Sequence, residues 1–173
     1  MTNQAQHQRR GLFLILPGQC FPMRFVKPWR HWDFLLSEWA PNLLDDQHHQ
    51  LKLVMMIQSL RSYAKELRTA GAKVIYHSLN NECSGDFPGQ LERAVLEGSF
   101  SELAYFEIED GFCVNAIADL AKSLGLNCNV VPSPMFLCSR EVFADYLKNE
   151  PRPRMASFYK MQRKDLNLLL TSD

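Results

Sequence analysis

The chain has 173 residues, 46% hydrophobic and 22% charged, which is the composition of a globular domain with a real core and not of a disordered segment. Nineteen Lys+Arg balance nineteen Asp+Glu, so no net field draws the protein to nucleic acid or to a membrane, and any such affinity must come from local clustering. The polar start, MTNQAQHQRR, lacks the apolar stretch of a secretory signal, and runs such as Leu12–Leu16 are too short to cross a bilayer, so residues 1–10 read as a disordered leader on a cytoplasmic protein that meets no membrane.

Gly11–Leu16 is an apolar run closed by Pro17-Gly18, the pattern of a buried strand. An aromatic-rich stretch follows (Phe21, Phe25, Trp29, Trp32, Phe34), and Trp32–Ser37 within it reads as a second strand that stops at Glu38-Trp39. The spacing of Leu53, Met56, Ile57, Leu60, Tyr63, Ala64 and Leu67 predicts an amphipathic helix over Asp45–Ala70. Asp45 or Asp46 would cap its start, and Gly71 suits the left-handed position past its end. Lys73–Leu79 has the β-propensity of a third strand. After a polar loop over Asn80–Asp86, Pro88 opens a helix that runs to Glu97 and ends at Gly98. Leu103–Ile108 is a strand, and Val114, Ile117, Leu120, Ala121 and Leu124 line a helix ended by Gly125. Asn127–Val131 is the last strand. Ser139 caps a short helix, Pro151 to Arg154 breaks the chain, and Met155–Leu170 is helical again.

Strands that alternate with helices of this length imply βαβ units with right-handed crossovers. The fold class is therefore α/β, with a mostly parallel five-stranded sheet between two helical layers, spanning residues 11–150 as one domain. Ligands of such sheets sit outside the carboxyl ends of the strands. Four segments there are candidate site walls: Pro17–Cys20, Glu38–Trp39, Glu109–Phe112 and Pro132–Met135.

In the first of these, Gly18 would let a ligand approach the backbone and Gln19 can both donate and accept hydrogen bonds, although a plain turn uses the same residues. Glu38 is either an acceptor for the N–H groups of a heterocycle or a solvated strand end, and the aromatic residues before it either stack on a planar ligand or fill the core. His49 and Lys52 share a helical face, where Lys52 either approaches an anion or is a solvated surface lysine. The neighbouring His48 and His49 point apart, so they do not form a metal pair. In PRPRMASFYKMQRK, Arg152, Arg154, Lys160, Arg163 and Lys164 surround Phe158 and Tyr159 with no acid among them, a pattern that suits a nucleic-acid backbone or a solvated helix face. The five cysteines are odd in number, widely spaced and without a C-x-x-C, which argues against a disulfide framework or a zinc site. Neither a phosphate loop nor a catalytic constellation stands out.

Three segments together carry a family likeness: LFLILPGQ near the start, HHQLKLVMMIQSLRSYAKELRTAGAKVIYHSL in the middle, and FLCSREVFADYLKNEPRPRMASFYKMQRKDLNLLL at the end. In order and spacing they resemble the deoxyribodipyrimidine photolyase-related proteins, which include the iron–sulfur bacterial cryptochromes and (6-4) photolyases. The resemblance implies a Rossmann-like N-terminal antenna domain that binds 6,7-dimethyl-8-ribityllumazine or a similar chromophore. Its energy would pass to FAD in a following flavin-binding helical domain, which also holds an iron–sulfur cluster and, in the full-length protein, contacts DNA. On this reading residues 151–173 form a linker helix toward that domain. The fragment alone is then inactive in DNA repair, and none of its cysteines is assigned to the cluster. The chromophore-binding residues implied are Gly18, Gln19, Glu38, Trp39, His49 and Lys52; the nucleic-acid or inter-domain contacts are Arg152, Arg154, Phe158, Tyr159 and Arg163. The family's G-D-Q-L loop here reads Pro17-Gly18-Gln19-Cys20, with the acid replaced by Gly18, so a structural domain without a chromophore stays an open reading. Beside it stand a free-standing α/β domain that binds a nucleotide or flavin-like molecule and an interaction domain that has lost its ligand.

Overall fold

The computed structural model describes residues 10–38, 48–79 and 86–170. Five strands, β1 (Gly11–Ile15), β2 (Asp33–Ser37), β3 (Lys73–His77), β4 (Glu102–Phe106) and β5 (Asn127–Val131), form one sheet in the order β3-β2-β1-β4-β5. Every pairing is parallel. Central β1 is buried at all five positions, which explains its unbroken apolar run, whereas edge strand β5 is polar at two of its five residues and mostly exposed. The helices are α1 (Gln50–Thr69), α2 (Phe87–Gly98), α3 (Gly111–Ser123), α4 (Arg140–Asn149) and α5 (Met155–Asp165). Two single turns of 3₁₀ helix, Met23–Phe25 and Lys27–Trp29, carry the chain from β1 to β2.

Alternation along the strands splits the core into two layers. Leu12, Leu14, Leu35, Leu103 and Tyr105 face α2 and α3, where Leu91, Val95, Cys113 and Ile117 pack on them. Phe13, Ile15, Phe34, Leu36 and Phe106 face the other way, against Leu60, Tyr63, Ala64 and Leu67 of α1 and against Val26 and Trp32. The three-layer α/β architecture expected from the sequence is thus the one observed. The chain divides into two compact units after Ser133, upstream of the Pro151 break, and α4 and α5 together make up the second.

Several boundaries differ from the sequence expectation. Helix α1 starts at Gln50, not Asp45, because His49 is its cap: the Leu51 N–H donates to His49 Nδ1 at 3.2 Å. Asp45 and Asp46 lie outside the described residues. Gly98 does not end α2 in a left-handed turn; Ser99 takes that conformation at φ 52°. Gly98 is required for another reason, since a Cβ there would overlap the buried Phe100 ring. Helix α5 stops at Asp165, short of Leu170, and Asn167 and Leu169 follow at positive φ.

Candidate functional site

The order β3-β2-β1-β4-β5 reverses at β1: the chain leaves β1 toward β2, then returns to the other side of β1 as β4. The loops after β1 and β4 therefore run apart and leave a crevice at their carboxyl ends, the usual ligand position in such a sheet. Gly18 adopts φ 89°, and among the described residues nothing lies within 4 Å of where its Cβ would be, so its surface is open to them. Gln19 is only 5% exposed. Its Nε2 donates to the Glu107 carbonyl beyond β4 at 3.0 Å, and its own N–H donates to the Leu16 carbonyl at 3.0 Å. Gln19 thus straps the two sides of the crevice together. Glu107 Oε2 accepts from the Ser133 N–H at 3.0 Å, which fixes the loop after β5 as well. Asp110 caps α3, accepting from the Phe112 and Cys113 N–H groups at 2.8 and 3.2 Å. That cap leaves Phe112 on the first turn 90% exposed.

Glu38 closes β2 and is fully buried. Five donor atoms converge on its carboxylate: Arg61 Nε at 2.6 Å and Nη2 at 3.2 Å, the Tyr76 hydroxyl at 2.7 Å, the Leu79 N–H at 2.9 Å and the Ser78 hydroxyl at 3.4 Å. A carboxylate has about four lone-pair positions, so this one is saturated. Burial alone would push its pKa up. The hydrogen bonds from Arg61, Leu79 and Tyr76, with the Arg61 charge, outweigh burial and hold it below its ordinary value. Burial and the bond to Glu38 in turn raise the Tyr76 hydroxyl. The parallel register that sets Leu36 beside Tyr76 brings these groups together from α1, β3 and the turn after it. Glu38 therefore ties three elements to the end of β2. It is neither the free acceptor nor the solvated strand end that the sequence left open.

The other residues singled out are dispersed. His49 is committed to capping α1, and Lys52 Nζ lies 3.2 Å from His48 Nδ1, one turn away, instead of pairing with His49. Trp39 lies outside the described residues. The aromatic residues before β2 are core: Phe13 packs on Trp29 at 5.4 Å and on Phe34 at 5.6 Å, and Phe21 meets Phe106 edge-on at 5.0 Å. Cys20 packs in this layer, and burial pushes its thiol up to about 11, as it does for Cys113. The Tyr63 hydroxyl, also in this layer, is buried with no hydrogen-bond partner among the described residues, and its pKa is raised mainly by burial. Among the described residues no cluster of His, Cys, Asp or Glu could hold a metal ion, and no helix is long and apolar enough to cross a membrane.

In the second unit Phe158 packs between Phe143 at 5.1 Å and Tyr146 at 5.0 Å, which joins α5 to α4. Tyr146 Oη donates to the Arg154 carbonyl at 2.9 Å and accepts from its N–H at 3.1 Å. Arg163 lies over the half-exposed Tyr159 ring at 5.7 Å and donates to the Leu168 carbonyl at 3.3 Å. Arg152 is exposed. Phe158 is thus a packing residue, while Arg152, Tyr159 and Arg163 present surface.

A ribityl-lumazine needs acceptors for its ring N–H and donors for its carbonyls. Of the residues proposed to meet it, Glu38, His49 and Gln19 are engaged within the fold, so the described set does not fit the chromophore in the way the sequence suggested. What the described residues at this end of the sheet do offer is the open backbone at Gly18, which the sequence singled out, and the exposed ring of Phe112, which it did not although Phe112 lies in a candidate wall. The glycine after the cap Asp110, Gly111, was the available signal.

A family model described as deoxyribodipyrimidine photo-lyase-related protein matches residues 23–173. A (6-4) photolyase of Agrobacterium fabrum (strain C58 / ATCC 33970) is 24% identical over 127 residues, which cover 73% of this chain and 25% of that protein. The matched region thus spans about a quarter of that relative's length.

Proposed function

The chain belongs to the deoxyribodipyrimidine photo-lyase-related protein family, and from that premise we propose that it acts as the α/β scaffold domain of a photolyase-related flavoprotein, docking a flavin-binding helical domain. The observation that carries this reading is the saturated Glu38, at the position where a ligand-reading carboxylate would be needed. Docking is supported by the second unit, where α4 and α5 contain no buried residue and Met155, with Met135, Leu137 and Leu169 outside the helices, is among apolar residues 47% to 78% exposed. On this proposal FAD, an iron–sulfur cluster and DNA are the concern of the helical domain. Arg152, Arg154, Tyr159 and Arg163 contribute contact surface, and these 173 residues do not repair DNA by themselves.

The antenna role is the second reading, and the open face of Gly18 at the switch point favours it. When bound, such a chromophore would absorb near-ultraviolet or blue light and pass the energy to the flavin. Gly18 backbone and Phe112 would hold its ring, with Lys52 as the cation for an anionic group. An absorption spectrum of the purified chain, before and after mixing with 6,7-dimethyl-8-ribityllumazine, separates the two. A spectrum that shows no protein-bound band is the expected result. A bound band that disappears in Gly18→Leu, with far-ultraviolet circular dichroism unchanged, would overturn the scaffold reading in favour of the antenna.

A further inference from the structure

A pocket of about 430 Å³ opens at the amino ends of β2 and β3, the opposite end of the sheet from the switch-point crevice. Val26, Phe34 and Leu67 form its floor, each 1% exposed. Arg24, Lys27 and Arg30 stand on its rim, all three exposed, and none of the described residues that line it is acidic. The side chains of Lys27 and Arg30 make no hydrogen bond or ion pair among the described residues, and Arg24 lies over the Phe25 ring at 4.6 Å. The nearby acid Asp33 is taken by Arg10 at 3.0 Å. In a chain whose charges balance overall, this is a local excess of positive charge around an apolar hole.

The two features select one chemistry. An apolar floor gives nothing to a bare phosphate, because the bound ion would lose hydration without gaining hydrogen bonds there. Three rim cations disfavour a cationic ligand and give no advantage to a neutral one. The volume falls in the range of small-molecule sites. We infer that this pocket binds a small amphipathic anion, a medium-chain carboxylate with its hydrocarbon on Val26, Phe34 and Leu67 and its head among Arg24, Lys27 and Arg30. The site is independent of the crevice and of the scaffold role.

The test is a titration of the full 173-residue chain with decanoate, read by the methyl resonances of Val26 and Leu67. Saturable shifts at both are expected. The double variant Lys27→Glu/Arg30→Glu changes exposed side chains and should retain the fold while weakening decanoate by about tenfold. Ala70→Leu, at the exposed end of α1 beside the mouth, should weaken it with the charges intact. Decanol should bind at least about fivefold more weakly than decanoate, since the rim favours the anion, and inorganic phosphate should leave the methyls unmoved. The inference is overturned if decanoate gives no saturable shift, if decanol matches it, if the charge reversal has no effect, or if phosphate or a short DNA duplex produces the same shifts.

Discussion

Replacing Glu38 tests the central claim that this carboxylate holds the fold together at the strand ends. In Glu38→Ala the half-exposed Arg61 turns to water, but the Leu79 N–H and the Tyr76 hydroxyl lose their acceptor in a partly buried setting. An unsatisfied group of this kind costs about 1–2 kcal/mol, so the variant should lose about 3 kcal/mol. For a chain of this size that is a fall in Tm of about 6–12 °C. Glu38→Gln keeps one acceptor oxygen but turns an N–H toward Arg61, and should lose an intermediate amount. The pH dependence adds a signature. A carboxylate whose folded pKa lies below the unfolded value contributes stability that is fully present above the unfolded value, near 4.5, and is lost as pH falls through the folded pKa. The gap between the native chain and Glu38→Gln should therefore be widest above pH 4.5 and narrow in more acid solution. Thermal and urea unfolding followed by circular dichroism from pH 3 to 7 reads both effects. A loss under about 1 kcal/mol in Glu38→Ala, or a gap that stays constant into acid, would refute the reasoning.

Two further outcomes follow from single contacts. A Cβ at Gly11 in central β1 would overlap the Trp32 indole, which packs edge-on with Trp29 at 4.7 Å, so Gly11→Ala should lose about 2–3 kcal/mol by urea unfolding although alanine suits a strand no worse than glycine; an unchanged midpoint would contradict the packing. His77 lies 3.1 Å from the Gln90 amide oxygen, and burial lowers its pKa more than that contact raises it. The unfolded chain then takes up a proton that the native one refuses, so this residue's share of stability should fall as pH drops below 6.5 toward the folded pKa, and His77→Gln should flatten that slope; identical slopes in the two proteins would sink the idea.

The fold was readable because each strand is a short run closed by a turn residue and each crossover carries a helical stripe. Gly11–Ile15 is the clearest case: a strand buried on both faces has no polar register to confuse with a helix. The start of α1 was not readable, since Asp45 and Asp46 have the better intrinsic capping preference and a histidine serves only when its ring nitrogen happens to face the N–H two residues on. The environment of Glu38 was hidden for a different reason. Its partners lie 23 to 41 residues away, and they meet only once β3 is known to pair with β2 in the register that sets Leu36 against Tyr76. Local pattern carries no information on register.

Glu38 and Gln19 illustrate why a polar residue at a strand end is ambiguous from sequence. The carboxyl edge of a parallel sheet ends in backbone groups and loop N–H groups that need partners as soon as they are buried. The same residue types, in the same positions, serve either to satisfy those groups or to read a ligand. The number of internal donors decides between them, and here Glu38 has five and Gln19 bridges β1 to β4. Because these contacts are made within the fold, it does not depend on a ligand at the carboxyl ends of the strands. A scaffold built this way keeps its shape when its ligand changes or is lost, which is the property a docking domain needs.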